Sequence, residues 1–411
     1  MRLSLATLMI LTAFVAVPIR AQVTIQSGAT LSKMITNLYG GNGIQLKSNG
    51  HEAHFGETQD FQQFSDTLEK TLQSRSVFPV PSSVGVVSFK FNDETGTYER
   101  VVGSFGPILS ERATTSGRGH ANFSTSVTVS DFQMFNGNDT IPLTLHHCLT
   151  IACTGGNLTS PYLKDVIKVD VRMKLRSQVL ATSIIYGLAN RVDVGIVIPY
   201  VRNDMNVFTH ATIIVGPGSS SFTHQFDSTI QTPDQMATGH ALGIGDIILR
   251  GKYQLRKSLP VDLGFLTDVT LPSGQKENFL GTGDLRIKET FIVSKTGTRV
   301  APHFNLGYEW NTNTAKLNSI DWRAGSEFLA TPRLTIAGDL LGTILPSAAA
   351  EFQIRALEGQ SLIARSQIDG SIGGKWQVNP RTLLTFNLMA PLNSAGIRPH
   401  TVISGGVQFG M

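Results

Sequence analysis

Residues 168–176 alternate charged and apolar side chains without interruption, and this pattern limits what the chain can fold into. The segment reads Lys-Val-Asp-Val-Arg-Met-Lys-Leu-Arg. Successive side chains of a β-strand point to opposite faces, whereas a helix would spread these charges around its whole circumference. The pattern therefore predicts a strand with one charged face and one apolar face. Such a strand suits the edge of a soluble sheet, or the wall of a membrane barrel with lipid outside and water inside.

Similar alternation recurs along the second half of the chain, and this recurrence favours the barrel. It is found in 247–256, 261–271, 284–291, 303–310 and 368–378. Charged residues make up only 16% of the sequence, yet no stretch beyond the N-terminus is long and apolar enough for a membrane-spanning helix. So many two-faced segments predict a closed sheet.

The connections between these segments alternate in length. Short turns lie near 190–191, 257–258, 295–297, 331–332 and 379–380. Longer connections are 204–241, 273–281, 312–318, 346–362 and 391–398. Bacterial outer-membrane barrels have short periplasmic turns and longer extracellular loops, and an even number of strands places both termini in the periplasm.

The predicted fold class is all-β, a transmembrane antiparallel β-barrel of about 14 strands, with 12 as the alternative count. The first two strands of the larger count are 83–91 and 96–105. The run 163–188 is about twice the length needed to cross a bilayer, and we expect one long strand that projects beyond the membrane.

Both ends of the chain carry features of an exported barrel. Arg2 precedes an apolar run and a possible cleavage site before Gln22, so residues 1–21 are predicted to be a signal peptide. The last segment is amphipathic and places Phe409 and Met411 on one face, close to the terminal-aromatic pattern read by the barrel-assembly machinery. We therefore expect this machinery and outer-membrane lipid as partners.

The segment before the barrel has a different pattern. Within 58–72, the residues Phe61, Phe64, Leu68 and Leu72 follow helical spacing. Residues 22–80 are predicted to form either a plug in the lumen or a loose periplasmic segment, and 81–411 to form the barrel.

Few residues suggest site chemistry. The two cysteines, Cys148 and Cys153, are predicted to form a disulfide, because an exported protein folds in an oxidising compartment. A metal site with the adjacent histidines is disfavoured, since the spacing matches no standard zinc pattern. No metal and no cofactor are predicted. The basic residues are spread thinly, which argues against a nucleic-acid partner. No Gly-x-Ser-x-Gly nucleophile motif is present, and we expect no enzyme activity.

The charged faces of the strands are predicted to line the lumen. The predicted lumen-lining residues are Lys168, Asp170, Arg172, Lys174, Arg176, Arg250, Lys252, Asp268, Arg286, Lys288, Arg323 and Glu327. Outward aromatic residues are expected at the boundaries between lipid and water. They are Tyr200, Tyr308, Trp310, Trp322 and Trp376.

Three hairpin motifs resemble a known family. They are YGLANRVDVGIVIPYV at 186–201, GIGDIILRGKY at 243–253 and VTLPSG at 269–274. They resemble the outer-membrane family of the phenol-degradation meta pathway, which is related to the long-chain fatty-acid outer-membrane transporters. The resemblance covers mainly 160–411. It implies a monomeric barrel with an N-terminal lumen plug that lets hydrophobic small molecules diffuse across the outer membrane.

We therefore expect a bacterial outer-membrane channel for passive movement of hydrophobic or amphipathic small molecules, with uptake and efflux both open. The first alternative is a water-filled general porin, and the second is an outer-membrane lipid or ester hydrolase. A soluble periplasmic β-protein is a further alternative. The sequence does not identify the ligand.

Overall fold

The chain folds around one large antiparallel sheet. The computed structural model describes residues 30–34, 37–39, 44, 46–48, 57–74, 89–92, 97–100, 103–146, 164–218, 224–227, 232–255, 260–347, 355–358 and 360–411. Its strands and single α-helix are β1 (Lys47–Ser48), α1 (Glu57–Ser74), β2 (Phe89–Asn92), β3 (Thr97–Arg100), β4 (Ala121–Phe135), β5 (Ile141–His146), β6 (Val166–Ala189), β7 (Val192–Ile214), β8 (His224–Gln225), β9 (Asp234–Ile244), β10 (Ile248–Gln254), β11 (Asp262–Thr270), β12 (Arg286–Ser294), β13 (Val300–Asn311), β14 (Ser319–Thr331), β15 (Leu334–Ile344), β16 (Ser366–Asn379), β17 (Thr382–Pro391) and β18 (Ile397–Gly410). Single 3₁₀ turns occur at Leu31–Lys33, Lys276–Asn278, Ala315–Leu317 and Arg355–Leu357.

Twelve strands close into a barrel, which confirms the predicted architecture with the smaller strand count. From β10 to β18 each strand pairs with the next, β7 pairs with β10, and β4 joins β18 to β6. The pairing of β18 with β4 closes the ring, with Phe409 opposite Phe123. Closure leaves no open edge across the bilayer, where an unpaired backbone group would cost several kcal/mol.

The sheet contains two further strands that do not close the ring, β5 and β9. The described residues of the segments predicted at 83–91 and 96–105 do not belong to this sheet. Their described parts, β2 and β3, pair with each other. Among the described residues, the barrel wall begins at Ala121, whereas the predicted boundary was residue 81. A two-residue alternation is satisfied by any two-sided hairpin, so it could not separate this pair from barrel strands.

Large apolar side chains cover the outer face of the barrel. Exposed examples on separate strands are Ile184, Leu306, Leu340, Ile372 and Phe386. Trp310 is exposed near the end of β13, and Trp376 is exposed near the end of β16, which runs in the opposite direction, so the two residues lie at opposite ends of the barrel. No described helix has the length and hydropathy needed to cross a membrane. The closed sheet with an apolar outer face and a polar inner face places the chain in the bacterial outer membrane.

The two ends of the barrel differ. Tight turns at 190–191, 332–333 and 380–381 lie at one end, together with both ends of the barrel chain. There the backbone NH of Ala121 donates to the carbonyl of Met411 at 3.0 Å. By the rule for single-chain outer-membrane barrels this is the periplasmic end, and the longer connections lie at the extracellular end.

Strands β6 and β7 continue past the extracellular end of the barrel. There β5 pairs with 166–171 of β6, and β9 pairs with 200–210 of β7, so that four strands form an extension of the wall. The inner face of the extension is apolar and includes Val169 and Val171. It packs against Leu31, Phe64 and Leu68 of the N-terminal segment.

This packing explains the long two-faced strand that dominates the sequence. The single strand β6 confirms the expected projection, but the apolar face of 168–176 contacts protein and not lipid. The Tyr39 hydroxyl lies 2.9 Å from Oγ1 of Thr209 on β7, and burial raises the pKa of Tyr39 to about 12. Helix α1 confirms the helix predicted at 58–72, although the side chain of Phe61 is outside the described part. The signal peptide and Cys148 and Cys153 also lie outside the described residues.

Two adjacent leucines of β15 test the assignment of faces. Leu340 faces outward and is 48% exposed, whereas Leu341 faces the lumen opposite Asp369. Leu340→Arg should lower the free energy of unfolding by about 2–4 kcal/mol, because lipid cannot solvate the charge. Leu341→Arg should cost clearly less, since its guanidinium reaches a polar lumen. Denaturant unfolding in lipid vesicles measures both, and equal losses would contradict the assignment.

Candidate functional site

Residues 103–119 lie inside the barrel and fill its periplasmic half. The segment begins near the periplasmic end, where the NH of Phe105 donates to Oγ1 of Thr335 at 3.0 Å. It rises until the Ser110 hydroxyl reaches Asp339 at 2.6 Å. It then descends on the other side, where the NH of Ser116 donates to the Asp193 carboxylate at 2.9 Å. We call 103–119 the lumen segment.

The end of the lumen segment touches the wall backbone to backbone. The NH of Gly119 donates to the carbonyl of Gly187 on β6 at 2.8 Å. A Cβ atom at Gly187 would lie 1.8 Å from the carbonyl oxygen of Gly117, so glycine is required there. Gly117 and Gly119 both have positive φ angles, which other residues adopt with strain. The segment is therefore seated tightly against the wall.

Glu111 attaches the lumen segment to the wall at mid-height. Its carboxylate lies 2.9 Å from an Arg250 nitrogen and 3.2 Å from Nζ of Lys252. Its backbone exchanges hydrogen bonds of 2.7 and 2.9 Å with the amide of Asn305. The Arg250 guanidinium is also held by Asp268 at 2.7 Å. Removing one member of such a buried group leaves an uncompensated charge, which is costly.

A second group of charges joins the lumen segment to β13, β14 and β15. The Arg112 guanidinium is paired with the Glu327 carboxylate. His303 lies between Glu327, at 3.3 Å, and Asp339, at 2.6 Å. The side chains of His303 and Glu327 have no exposed area, so solvent does not screen these contacts. Together with Glu111, this group fixes both limbs of the lumen segment.

A cavity of about 250 Å³ lies in the barrel next to Glu111. Its wall has two different parts. The part on β17, β4, β6 and β7 has no charged side chain and includes Met389, Phe132, Val179 and Val201, although apolar residues such as Ile248, Leu266 and Leu341 also lie on or between the charged strands. Charged side chains lie on β10 to β14, β16 and β18, and include Arg250, Asp268, Arg286, Lys288, Glu309, Asp321, Arg323, Asp369 and Arg398.

Most of the charged wall is compensated by short ion pairs. Arg286 contacts Glu309 at 3.1 Å, and Nζ of Lys288 contacts Asp321 at 2.7 Å. Arg398 is paired with Asp369. Arg323 donates instead to the backbone carbonyl of Leu109 in the lumen segment. The cavity thus offers an apolar side and a polar side with little unbalanced charge.

The connection 271–285 contributes to the extracellular side of the cavity. Asp246 holds it, with its carboxylate accepting from the NH of Gly274 at 3.0 Å and from the NH and hydroxyl of Thr282 at 2.7 Å. This arrangement turns Phe279 and Leu280 into the cavity wall. Phe279 has a positive φ of 55°, which is rare for a bulky residue, and Asn203 donates to its carbonyl at 2.8 Å. The connection is folded inward and stabilised there.

The structure divides the predicted lumen-lining residues into two groups. Seven face the inside, at or next to the cavity and lumen segment. They are Arg250, Lys252, Asp268, Arg286, Lys288, Arg323 and Glu327. The other five lie on β6 and are exposed on its outer side, which corrects their predicted orientation. They are Lys168, Asp170, Arg172, Lys174 and Arg176.

The reason for this correction is the register of β6. Even-numbered residues face outward along the whole strand, from the lipid-facing Ile184 to Lys168, and no bulge interrupts this register before Gly187. The prediction assumed that the charged residues of every strand face the lumen. Beyond the membrane the inside of the wall is filled by the N-terminal segment, so the apolar face turns inward and the charges turn outward.

The lumen segment was not predicted as a site. Residues 103–105 were assigned to a strand, and 106–118 were left between strands. The available signal was local: 103–119 is rich in glycine and serine, lacks any alternation, and contains Glu111 and Arg112 side by side immediately before the first barrel strand. The barrel strands carry many inward charges. Two adjacent opposite charges in a segment of small residues could therefore have indicated a segment that enters the lumen and pairs with charged residues of the wall.

Comparisons with known proteins agree on a family. Residues 168–390, more than half of the chain, match the family described as "Putative MetA-pathway of phenol degradation". No curated protein matches the chain.

Several solved structures are similar at low identity. An outer-membrane channel from Pseudomonas putida F1 is 13% identical, with 73% of this chain and 98% of that chain covered and a TM-score of 0.46. The Ralstonia pickettii toluene transporter TbuX is 10% identical, with 72% and 89% covered and a TM-score of 0.34. The CymD monoaromatic hydrocarbon channel is 11% identical, with 72% and 88% covered and a TM-score of 0.33.

The family match includes most of β6, the turn into β7, and every later barrel strand up to β17. It contains all three hairpin motifs noted in the sequence, and the wall they build carries most of the cavity lining. The chain belongs to the outer-membrane family described by the MetA pathway of phenol degradation.

Proposed function

We propose that the protein is an outer-membrane channel for the passive movement of hydrophobic or amphipathic small molecules. The observation that carries this proposal is the two-sided cavity inside the barrel. An apolar ligand gains about 25 cal/mol for each Å² of its surface that leaves water, and the apolar side around Val179 and Val201 offers such contacts. The charged side can accept a polar group of the same molecule.

The lumen segment argues against the alternative of a water-filled general porin. It contacts inward residues on strands from β6 round to β16, including Asp193, Asn305 and Thr335. A wide aqueous pore needs an open lumen, whereas a channel for small apolar molecules can work with a partly closed one. Movement past the lumen segment then requires its contacts to loosen.

The remaining parts of the proposal concern assembly. One chain closes its own barrel and contains its own cavity, which supports a monomer. The amphipathic strand β18 closes the barrel against β4, and we infer that the barrel-assembly machinery engages it before closure. The apolar outer face supports outer-membrane lipid as the surrounding solvent.

We also propose that the protein is not an enzyme. The buried His303 forms a hydrogen bond with Asp339 through Nε2 and lies 3.3 Å from Glu327 through Nδ1, and the nearby Ser110 hydroxyl donates to Asp339 and not to the imidazole. A hydrolase of the serine type needs its hydroxyl on the base. Purified protein should therefore release no product from lipid or nitrophenyl ester substrates. Hydrolysis that disappears in Ser110→Ala would overturn this part of the proposal.

The apolar side of the cavity provides the direct test of the channel. Replacing Val179 and Val201 by Thr keeps their shape and adds two hydroxyls to the wall. Each should cost the ligand about 1 kcal/mol of apolar contact, so the two together should raise the half-saturation concentration of an apolar solute by roughly thirtyfold. Uptake of a labelled aromatic hydrocarbon by proteoliposomes measures this change.

The matched control replaces two outward valines, Val127 and Val194, by Thr. This variant carries the same chemical change on the lipid face and should transport like the parent protein. An equal loss of uptake in both variants would mean that reduced stability of the protein causes the effect. Unchanged uptake in both variants would show that the solute does not pass through this cavity.

Glu111 tests whether the lumen segment restricts the channel. Glu111→Gln removes the charge shared by Arg250 and Lys252 and should loosen the segment, so single-channel conductance in planar bilayers should rise. Glu309→Gln is the control, because Glu309 pairs with Arg286 on the wall and does not hold the segment. An unchanged conductance in Glu111→Gln, or an equal rise in both variants, would contradict the assigned role.

A further inference from the structure

The outward-facing cations of the barrel sheet are concentrated in one place. Among the described strands of that sheet, Lys and Arg side chains face outward only on β6 and β7. They are Lys168, Arg172, Lys174, Arg176 and Arg202. The inward-facing ones are mostly paired with carboxylates or, like Arg323 and Lys375, donate to backbone carbonyls of the lumen segment. The outward group therefore differs from the rest in position. Arg172 and Lys174 also form no ion pair with any described residue, whereas Arg202 is paired with Asp204 at 3.0 Å.

On β6 and β7 this group starts where the run of outward apolar residues ends. Leu180 on β6 and Tyr200 on β7 are register partners and form the last outward apolar pair before the cations, while Leu242 of β9, opposite Arg202, is also apolar and exposed. The next outward row is Gln178 with Arg202, and the row after it contains Arg176. Tyrosine at such a position is typical of the boundary between lipid and water. Arg176 therefore lies at the height of the lipid headgroups, on the extracellular side.

Three consecutive outward positions of β6 are cationic, and we call Arg172, Lys174 and Arg176 the basic row. Outward positions repeat about every 6.6–6.8 Å along a strand, or roughly 5 Å in height for a strand tilted by about 40°. The row thus rises on the order of 10 Å from the headgroups into the layer above them. Opposite Lys174 and Arg172 on β7 are the uncharged Asn206 and Phe208.

The cations of the basic row remain accessible. Arg172 and Lys174 are exposed and form no ion pair with any described residue. The Arg172 guanidinium lies 6.0 Å from the centre of the Phe208 ring, which orients it without neutralising it. The Arg176 side chain is 51% exposed and approaches Asp131 only at 3.8 Å. At this distance and exposure the pair contributes little and can exchange partners.

We propose that the basic row binds the phosphate groups of lipopolysaccharide, the anionic glycolipid of the outer leaflet. Arg and Lys are the side chains that bind phosphate best, Arg through a planar pair of donors and Lys as a point charge. The row stands beside the leaflet at the height of these phosphates, on a wall held rigid from behind by the N-terminal segment.

The proposal is tested by equilibrium binding of fluorescent lipopolysaccharide to the full-length protein in detergent micelles. The test variant carries Arg172→Gln, Lys174→Gln and Arg176→Gln. Each cation near an anionic lipid surface contributes about a fivefold gain in binding, so the variant should bind on the order of a hundredfold more weakly. Raised salt should weaken lipopolysaccharide binding by the parent protein towards the level of the variant, because exposed charge contacts are screened by salt.

The matched control removes three exposed cations at the periplasmic end, through Arg299→Gln, Arg333→Gln and Arg381→Gln. It makes the same change in net charge and should bind like the parent protein. A conservative variant with Arg172→Lys and Arg176→Lys should keep binding within a few-fold. Equal affinity of the test variant and the parent, or an equal loss in the control, would overturn the proposal.

Two further probes identify the ligand group. Lipopolysaccharide stripped of its phosphates should bind the parent protein as weakly as the test variant binds the intact lipid, and full binding would exclude phosphate recognition. Inorganic phosphate at constant ionic strength should not compete, because three cations spaced along a strand favour a ligand with several phosphates. Efficient competition would reassign the row to free phosphate and overturn the lipid assignment.

Discussion

Closure of the backbone hydrogen bonds between β18 and β4 is the constraint on which the rest of the structure depends. Lipid offers no donors or acceptors, so a sheet can cross it only when every edge is paired. Once the ring is closed, its two faces meet different solvents, and the two-residue period of the strand sorts side chains between them. The apolar outer face and the polar lumen are consequences of this closure.

A closed barrel of twelve strands creates an interior that the chain must fill or leave to water. The lumen segment fills the periplasmic half through buried charges, with Glu111 and Arg112 held by Arg250, Lys252 and Glu327. At the extracellular side the connection 271–285 folds inward, held by hydrogen bonds to the carboxylate of Asp246. Between them remains the two-sided cavity. Its position follows from where the chain fills the lumen, and its two sides follow from which strands carry charge.

Strand β6 shows how one alternating pattern takes two meanings along its length. Near the periplasmic end its outward residues, such as Ile184 and Leu188, face lipid and are apolar. Beyond the membrane the outside is water, and the same positions are charged, as at Lys174. The inner positions stay mostly apolar or small, from Ile185 and Val179 inside the barrel to Val169 and Val171, which the N-terminal segment covers with apolar side chains. The chemistry of the outer face changes with height while the register stays constant.

The sequence by itself determined the barrel, the long strand β6, the helix α1, the family and the inward charges from Arg250 to Glu327. These follow from local periodicity, which each strand carries in its own residues. Only the tertiary structure decided that β2 and β3 stay out of the ring, that 103–119 enters the lumen, and that Lys168 to Arg176 point outward. Each of these depends on what stands on the other side of the strand, lipid, water or another part of the chain. Alternation records that two sides differ, and it does not record what occupies them.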